Sequence, residues 1–328
     1  MGKAGGYGVR AWTSPEWREA AVAWIDARLA DAGLERTGAV EQPHVRPWAT
    51  VLRVPTADGP LWMKAAGPGT AFEVPLYEIL ARVAPDRVLV PLATDAERAW
   101  ALLLDGGPSL GERLEDAERV DALAAALVEY GRLQRSLEPH VDELLAAGVA
   151  DMRPAAMPGR FGEAVAVAGE VDGVAAAEPE FGRWCARLAE SPLPASLDHN
   201  DLHPWNVLGS GKGVRFYDWG DAVVAHPFAA MLVPLGFVER GSAAGLADPR
   251  FTRARDAYLE VFTDVAPRAE LVEELELACR VAKVARVLTW ERALRAAREQ
   301  DEEIDPYFVN APAETLASVL DESYVGGA

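Results

Sequence analysis

His199-Asn200-Asp201-Leu202-His203-Pro204-Trp205-Asn206, followed twelve residues after Asn206 by Asp218-Trp219-Gly220, is the stretch on which the reading of this chain turns. It holds an aspartate and an asparagine with four residues between them, then a second aspartate closing the apolar run Val214-Arg215-Phe216-Tyr217. A phosphoryl-transfer site needs these groups. One accepts the proton of an attacking hydroxyl, and two oxygen-bearing side chains hold magnesium against the phosphates. Asp201 is the candidate base, and Asn206 and Asp218 are the candidate metal ligands. Any one of them alone is equally well explained as a turn residue or a cap. The shared spacing and the apolar flanks argue for the set.

His199 and His203 flank Asp201 at an i, i+4 spacing. A metal pair so spaced would need a helix, which Pro204 opposes, so zinc is set aside. His199 is expected to brace the loop through a ring nitrogen. His203 is expected near the transferred phosphate or packed within the loop.

Lys64 is the second point of interest. The chain has only Lys3, Lys64, Lys212 and Lys283, with arginine used nearly everywhere else. Lys64 ends the extended run Leu61-Trp62-Met63, where an ammonium suits the α- and β-phosphate oxygens and is normally held by a helix glutamate. Glu73 is the preferred partner, since Leu76, Tyr77 and Leu80 follow it at helical spacing; Glu78 is second. The bland alternative is an edge-strand lysine. No glycine-rich phosphate loop of the G-x-G-x-x-G or G-x-x-x-x-G-K-[ST] kind occurs. The turn over 44–50, with Thr50 as a donor, is the candidate phosphate cover. Leu103 and Leu104, before Asp105-Gly106-Gly107-Pro108, form the candidate strand whose backbone meets an adenine edge; an ordinary buried strand fits equally well.

Composition narrows the class. A formal charge of −19 over 328 residues opposes general nucleic-acid binding and attraction to anionic lipid. No segment approaches the roughly 18 apolar residues of a membrane helix, and no signal peptide is evident, so a cytoplasmic protein is expected. Cys185 and Cys279 have neither metal nor disulfide spacing and read as buried thiols.

Helical periodicity is expected over about 15–32, with Ser14 as N-cap and Gly33 as stop. Extended runs are expected at Thr50–Val54, Pro60–Ala65, Val88–Ala93 and Ala99–Leu104, with a helix at Ala71–Val83. Beyond the Gly-Gly breaker the chain reads as helices at Ala117–Leu137, Val141–Gly148, Glu178–Glu190, Phe228–Phe237, Arg250–Phe262, Pro267–Arg298 and Ala313–Glu322. A small hairpin around Gly209-Ser210-Gly211 interrupts them, and Ala155–Gly173 reads as a loose surface connection. This is an α+β chain: residues 1–104 as a small β-rich lobe and 105–328 as a larger helical lobe.

These motifs resemble those of the aminoglycoside phosphotransferase and choline-kinase-like small-molecule kinases, which share the bilobal protein-kinase-like fold. The family's H-G-D-x-H-x-x-N is similar to His199–Asn206, and its I-D-W to Tyr217-Asp218-Trp219. The likeness reaches Lys64, Glu73 and 103–107. It implies ATP and Mg2+ as cofactors and a small-molecule hydroxyl acceptor, with Asp201 as base and Asn206 and Asp218 on magnesium. Lys64 would position the nucleotide, and His203 would stand near the transferred phosphate. Two departures stand out. Asn200 replaces glycine, tolerable in the left-handed region, and the acidic residue expected about ten positions after the metal motif is replaced by the Ala225-His226-Pro227 run, where His226 is a candidate brace.

An aminoglycoside-like antibiotic or a sugar is the leading acceptor class, with a metabolic sugar or amino-alcohol kinase as the alternative. A catalytically silent nucleotide-binding protein is the rival from another class, which the full Lys/Glu/Asp/Asn/Asp set opposes. The acidic run Asp301-Glu302-Glu303 with Asp305 is a candidate amine-binding patch, against the plainer reading of a solvated face. Trp205, Trp219 and Trp290 are candidate pocket walls, against the plainer reading of core.

Overall fold

The structure, a computed structural model, describes residues 6–209 and 213–326; Ser210 and Gly211 of the expected hairpin turn lie outside them. The chain forms two compact units: residues up to Gly106 together with Arg292–Val309, and Gly107–Glu291 with the segment from Asn310. None of the described helices is long and apolar enough to cross a membrane.

The first unit contains α1 (Val9–Trp12), α2 (Pro15–Asp31), β1 (Glu41–Val45), β2 (Ala49–Thr56), β3 (Gly59–Ala66), α3 (Glu73–Val83), β4 (Pro91–Asp95) and β5 (Trp100–Leu104). The strands form one antiparallel sheet in the order β1-β2-β3-β5-β4. Helix α2 starts because the Ser14 side chain accepts from the Trp17 amide and Pro15 presets the first turn. Its stripe Trp17, Ala21, Ile25 and Leu29 packs with Leu61, Met63 and Ala65 of β3. Trp17 and Trp24 meet the ring of Trp100 edge-on, at 5.9 and 5.6 Å, each pair worth about 0.5–1.5 kcal/mol beyond burial. Since strand side chains alternate, Lys64 faces away from α2. Close packing also dictates Gly69: a Cβ there would lie 2.1 Å from the Arg292 carbonyl oxygen.

The second unit contains α4 (Leu110–Arg113), α5 (Asp116–Leu137), α6 (Val141–Ala146), β6 (Ala150–Met152), α7 (Met157–Ala168), α8 (Val174–Ala189), β7 (Ser196–Asp198), β8 (Val207–Leu208), β9 (Arg215–Phe216), β10 (Val223–Ala225), α9 (Leu232–Arg240) and α10 (Pro249–Leu259). The chain ends with α11 (Arg268–Glu299) and α12 (Pro306–Ala317). A small sheet, β6-β10-β7, has β10 parallel to β6 and antiparallel to β7; β8 and β9 form a separate hairpin. Cys185 and Cys279 are buried, on α8 and α11.

Two expectations are corrected. Ala155–Gly173 is not a loose connection: α7 occupies its centre, burying Met157, Phe161 and Ala164. Gly159 and Gly162 weaken its propensity, and packing restores the helix, with the Phe161 and Phe181 rings 4.8 Å apart. The last helix begins at Pro306 rather than Ala313, because Asp305 caps it by accepting from the Tyr307 amide.

Candidate active site

The candidate catalytic stretch hangs from β7, and β7 hangs from α5. Tyr130 and Gln134, one turn apart on α5, both donate to the Leu197 carbonyl oxygen at 3.0 Å. The Tyr130 hydroxyl accepts in turn from the His199 amide at 2.8 Å, so the loop leaves the strand at a fixed point. The next residue turns sharply. Asn200 sits at φ 59°, in the left-handed region as its replacement of glycine requires.

Asp201 emerges from that turn into a set of donors. Its Oδ2 lies 3.3 Å from His203 Nε2 and 3.3 Å from Asn206 Nδ2, and its Oδ1 lies 3.1 Å from Arg286 Nη2. Burial alone would raise the Asp201 carboxyl, but the His203 hydrogen bond and the Arg286 charge outweigh it and hold the group well below the usual carboxylate range. These partners favour the ionised form of Asp201. His203, expected near the transferred phosphate or packed within the loop, turns its Nε2 onto this carboxylate.

Asn206 shows which way its amide points. Nδ2 donates to the Asp201 backbone carbonyl at 2.9 Å, and a flipped amide would set two oxygens against each other. Its Oδ1 is thus the outward atom, as a hard cation requires. Asp218 is held at the same end of the β8–β9 hairpin. Val207 pairs with Phe216, and the Tyr217 amide donates to the Asn206 carbonyl at 3.3 Å. Asp218 itself adopts φ 64°, ψ 64°, with an exposed side chain. An amide oxygen and an exposed carboxylate, both hard donors, fit magnesium, which takes one or two protein ligands and completes its shell with water and phosphate.

The two histidines have separate duties. His199 is fully buried against Trp219, ring centroids 4.6 Å apart, and its Nε2 meets the Tyr217 carbonyl at 2.9 Å, joining the loop to the residue before Asp218. Burial pushes its pKa down. His226 is bonded elsewhere: its Nδ1 accepts from the Phe228 amide, and its Nε2 lies 3.2 Å from Ser191 Oγ and 3.6 Å from Glu274. It braces the exit of β10.

In the first unit, Lys64 Nζ lies 2.8 Å from Glu73 Oε1 and 2.7 Å from Oε2. Glu78 accepts from Thr94 instead. Thr50 corrects the expectation of a phosphate donor. Its hydroxyl is wholly buried, donates to the His44 carbonyl and accepts from Gln42, so it holds the β1–β2 turn. Leu103 is paired on both sides, with Trp62 and Pro91, whereas Leu104 pairs only with Leu61 and is 47% exposed.

The candidate pocket walls divide. Trp219 is core, while Trp205 is 41% exposed beside Asn206, with Arg119 5.2 Å from its ring. The acidic run is engaged in part: Glu302 accepts from the Val9 and Arg10 amides, and Asp305 is a cap.

Arg286 was not foreseen. It lies 85 residues from Asp201 on α11, and no local pattern marks it among so many helical arginines.

A small antiparallel sheet with a mostly helical remainder is the fold of kinase-like small-molecule phosphotransferases, and the family match places this chain among phosphotransferases with an alcohol group as acceptor. The chain belongs to the phosphotransferase enzyme family, whose model matches residues 39–259. Solved structures of similar fold include a macrolide 2'-phosphotransferase from Brachybacterium faecium, 19% identical, covering 89% of this chain and 97% of that one with a TM-score of 0.56. A choline kinase from Streptococcus pneumoniae is 14% identical, with 91% and 99% covered and a TM-score of 0.60. An APH(2'') enzyme in complex with GDP and kanamycin is 15% identical, with 92% and 98% covered and a TM-score of 0.56. A search of curated protein sequences returns no match.

Proposed function

We propose that the protein transfers the γ-phosphate of ATP to a hydroxyl of a small molecule, an aminoglycoside-like antibiotic or a sugar, in the cytoplasm. The observation that carries this reading is the Asp201 carboxylate, held ionised by Arg286 and His203 beside an asparagine whose amide orientation is fixed. Asp201 orients the acceptor hydroxyl and takes its proton as the new O–P bond forms, while the bond from the γ-phosphorus to the bridging oxygen breaks and ADP leaves. Asn206 Oδ1 and Asp218 would hold magnesium, which when bound offsets the charge of the phosphates. Lys64, oriented by Glu73, neutralises α- and β-phosphate oxygens. His203 keeps the base in place near the transferred group, and the strand end at Leu103 and Leu104 leads to the backbone that receives the nucleobase.

A metabolic amino-alcohol kinase is the second reading, favoured by the choline-kinase fold match at a TM-score of 0.60. The decisive experiment is a panel of aminoglycosides, other antibiotics, hexoses and amino alcohols incubated with Mg·ATP and read by mass spectrometry for phosphorylated product. A preceding thermal-shift measurement should show stabilisation by ATP analogues that depends on Mg2+. Nucleotide binding without phosphorylation of any acceptor, water included, would favour a catalytically silent protein.

A further inference from the structure

Helix α11 reaches the catalytic loop through two residues one turn apart. The Arg286 guanidinium spans consecutive residues of the loop: Nη1 donates to the Asn200 carbonyl oxygen, and Nη2 lies 3.1 Å from Asp201 Oδ1. Thr289, at i+3 on the same face, accepts through Oγ1 from Asn200 Nδ2 at 2.8 Å and donates to the Ala285 carbonyl at 3.1 Å. Arg286 is buried, and its guanidinium carbon lies 5.6 Å from the Trp290 ring centre. These contacts leave the guanidinium little freedom.

Taken with the reading of Asp201 as the base, on which this rests, we propose that Arg286 is a positioning residue for phosphoryl transfer. By holding Oδ1 and the preceding carbonyl together, it fixes the carboxylate plane and with it the direction from which the hydroxyl proton is taken. The left-handed turn at Asn200 is part of the device. It presents both the carbonyl and the side chain of one residue to α11, so an asparagine there secures the loop where a glycine would leave only its backbone. A planar fork is required, because two acceptors on adjacent residues match paired N–H groups and not a single ammonium. Arg286 acts through Asp201 and is not assigned a contact with substrate.

The test compares Arg286→Ala, Arg286→Lys, Thr289→Val and Asp201→Asn in the full-length protein, with Mg·ATP and the best acceptor from the panel above, water included. Arg286→Ala should lower kcat about 10²-fold, the order expected when a catalytic group is misplaced by about an ångström. The KM for ATP and the Mg2+-dependent thermal shift with ATP should stay near wild type. Arg286→Lys should recover only part of the loss, and millimolar guanidinium should partly rescue Arg286→Ala. Thr289→Val should lower kcat less than Arg286→Ala, again without moving the KM for ATP. A folded Arg286→Ala with wild-type kcat overturns the proposal, as does a loss carried wholly in KM. Loss without rescue by lysine or guanidinium also overturns it, because it marks a purely structural role. If Arg286→Ala fails to fold, Arg286→Lys decides: wild-type kcat there overturns the proposal. Asp201→Asn separates the two ideas. Turnover lost there but kept in Arg286→Ala sinks the positioning role alone, whereas turnover kept in Asp201→Asn sinks the reading of the base.

Discussion

Both carboxylate oxygens of Glu73 lie within 2.8 Å of the Lys64 ammonium, and Glu73 is 2% exposed. Removing one partner of a buried ion pair costs about 3–5 kcal/mol. Lys64→Ala should therefore destabilise the protein and raise the KM for ATP or lower kcat strongly. Lys64→Met with Glu73→Leu should restore much of the stability and none of the activity. Denaturant melts and ATP kinetics on the two variants separate these effects; an unchanged kcat/KM for ATP in Lys64→Ala would remove this lysine from the nucleotide site.

Asp201→Asn keeps the shape of the side chain and removes its basicity. It should abolish nearly all turnover while leaving Mg·ATP affinity within a few-fold of wild type. Single-turnover assays against an accepted hydroxyl substrate, beside ATP-analogue titration, provide the check. A wild-type rate would reassign the base.

Asp198 is fully buried, its Oδ1 accepts from the Asn200 amide at 2.6 Å, and its Oδ2 has no partner among the described residues. Burial raises its pKa to about 7, against about 3.9 in an unfolded chain. Between those values the folded state binds the extra proton, so stability falls as pH rises. The contribution is fully present below pH 4 or so and lost as pH passes 7. Asp198→Asn should remove this dependence, so its stability relative to wild type should climb by a few kcal/mol from about pH 4 to 7 and then level off. Urea melts across that range test it; a gap independent of pH would mean that Asp198 is charged in the folded state.

Gly111 on α4 lies against the Trp205 ring, where an added Cβ would come within 2.4 Å of the ring carbons. Gly111→Ala should push the indole off its seat and cost about 1–3 kcal/mol, the usual penalty of overpacking. Adding Trp205→Ala should relieve most of that cost. Thermal melts of the single and double variants measure the coupling, and additive effects would contradict the close approach.

Much of this was legible in the sequence where local chemistry decides the outcome. Ser14, Pro15 and Gly33 bounded α2, helical spacing singled out Glu73 as the partner of Lys64, and Asn200 was compatible with a left-handed turn. What escaped depends on partners distant in the chain. Thr50 is a polar residue whose hydroxyl serves its own turn, and α7 is a glycine-weakened helix rescued by Phe181. Arg286 meets its aspartate only once α11 has packed. Periodicity and spacing report none of these, because the deciding energy is tertiary.

The clasp of Arg286 and Thr289 on Asn200 has a consequence for grafting. Residues 196–218 have the form of a cassette exchangeable between members of the family. In this chain the cassette is incomplete without the 285–290 face of α11. A transplanted loop with glycine at position 200 would leave the Thr289 hydroxyl without its donor. A transplanted helix lacking the arginine would leave Asp201 held by His203 and Asn206 alone. Chimeras that redesign acceptor choice should therefore exchange loop and helix face together, keeping intact the two anchoring side chains Tyr130 and Gln134 on α5.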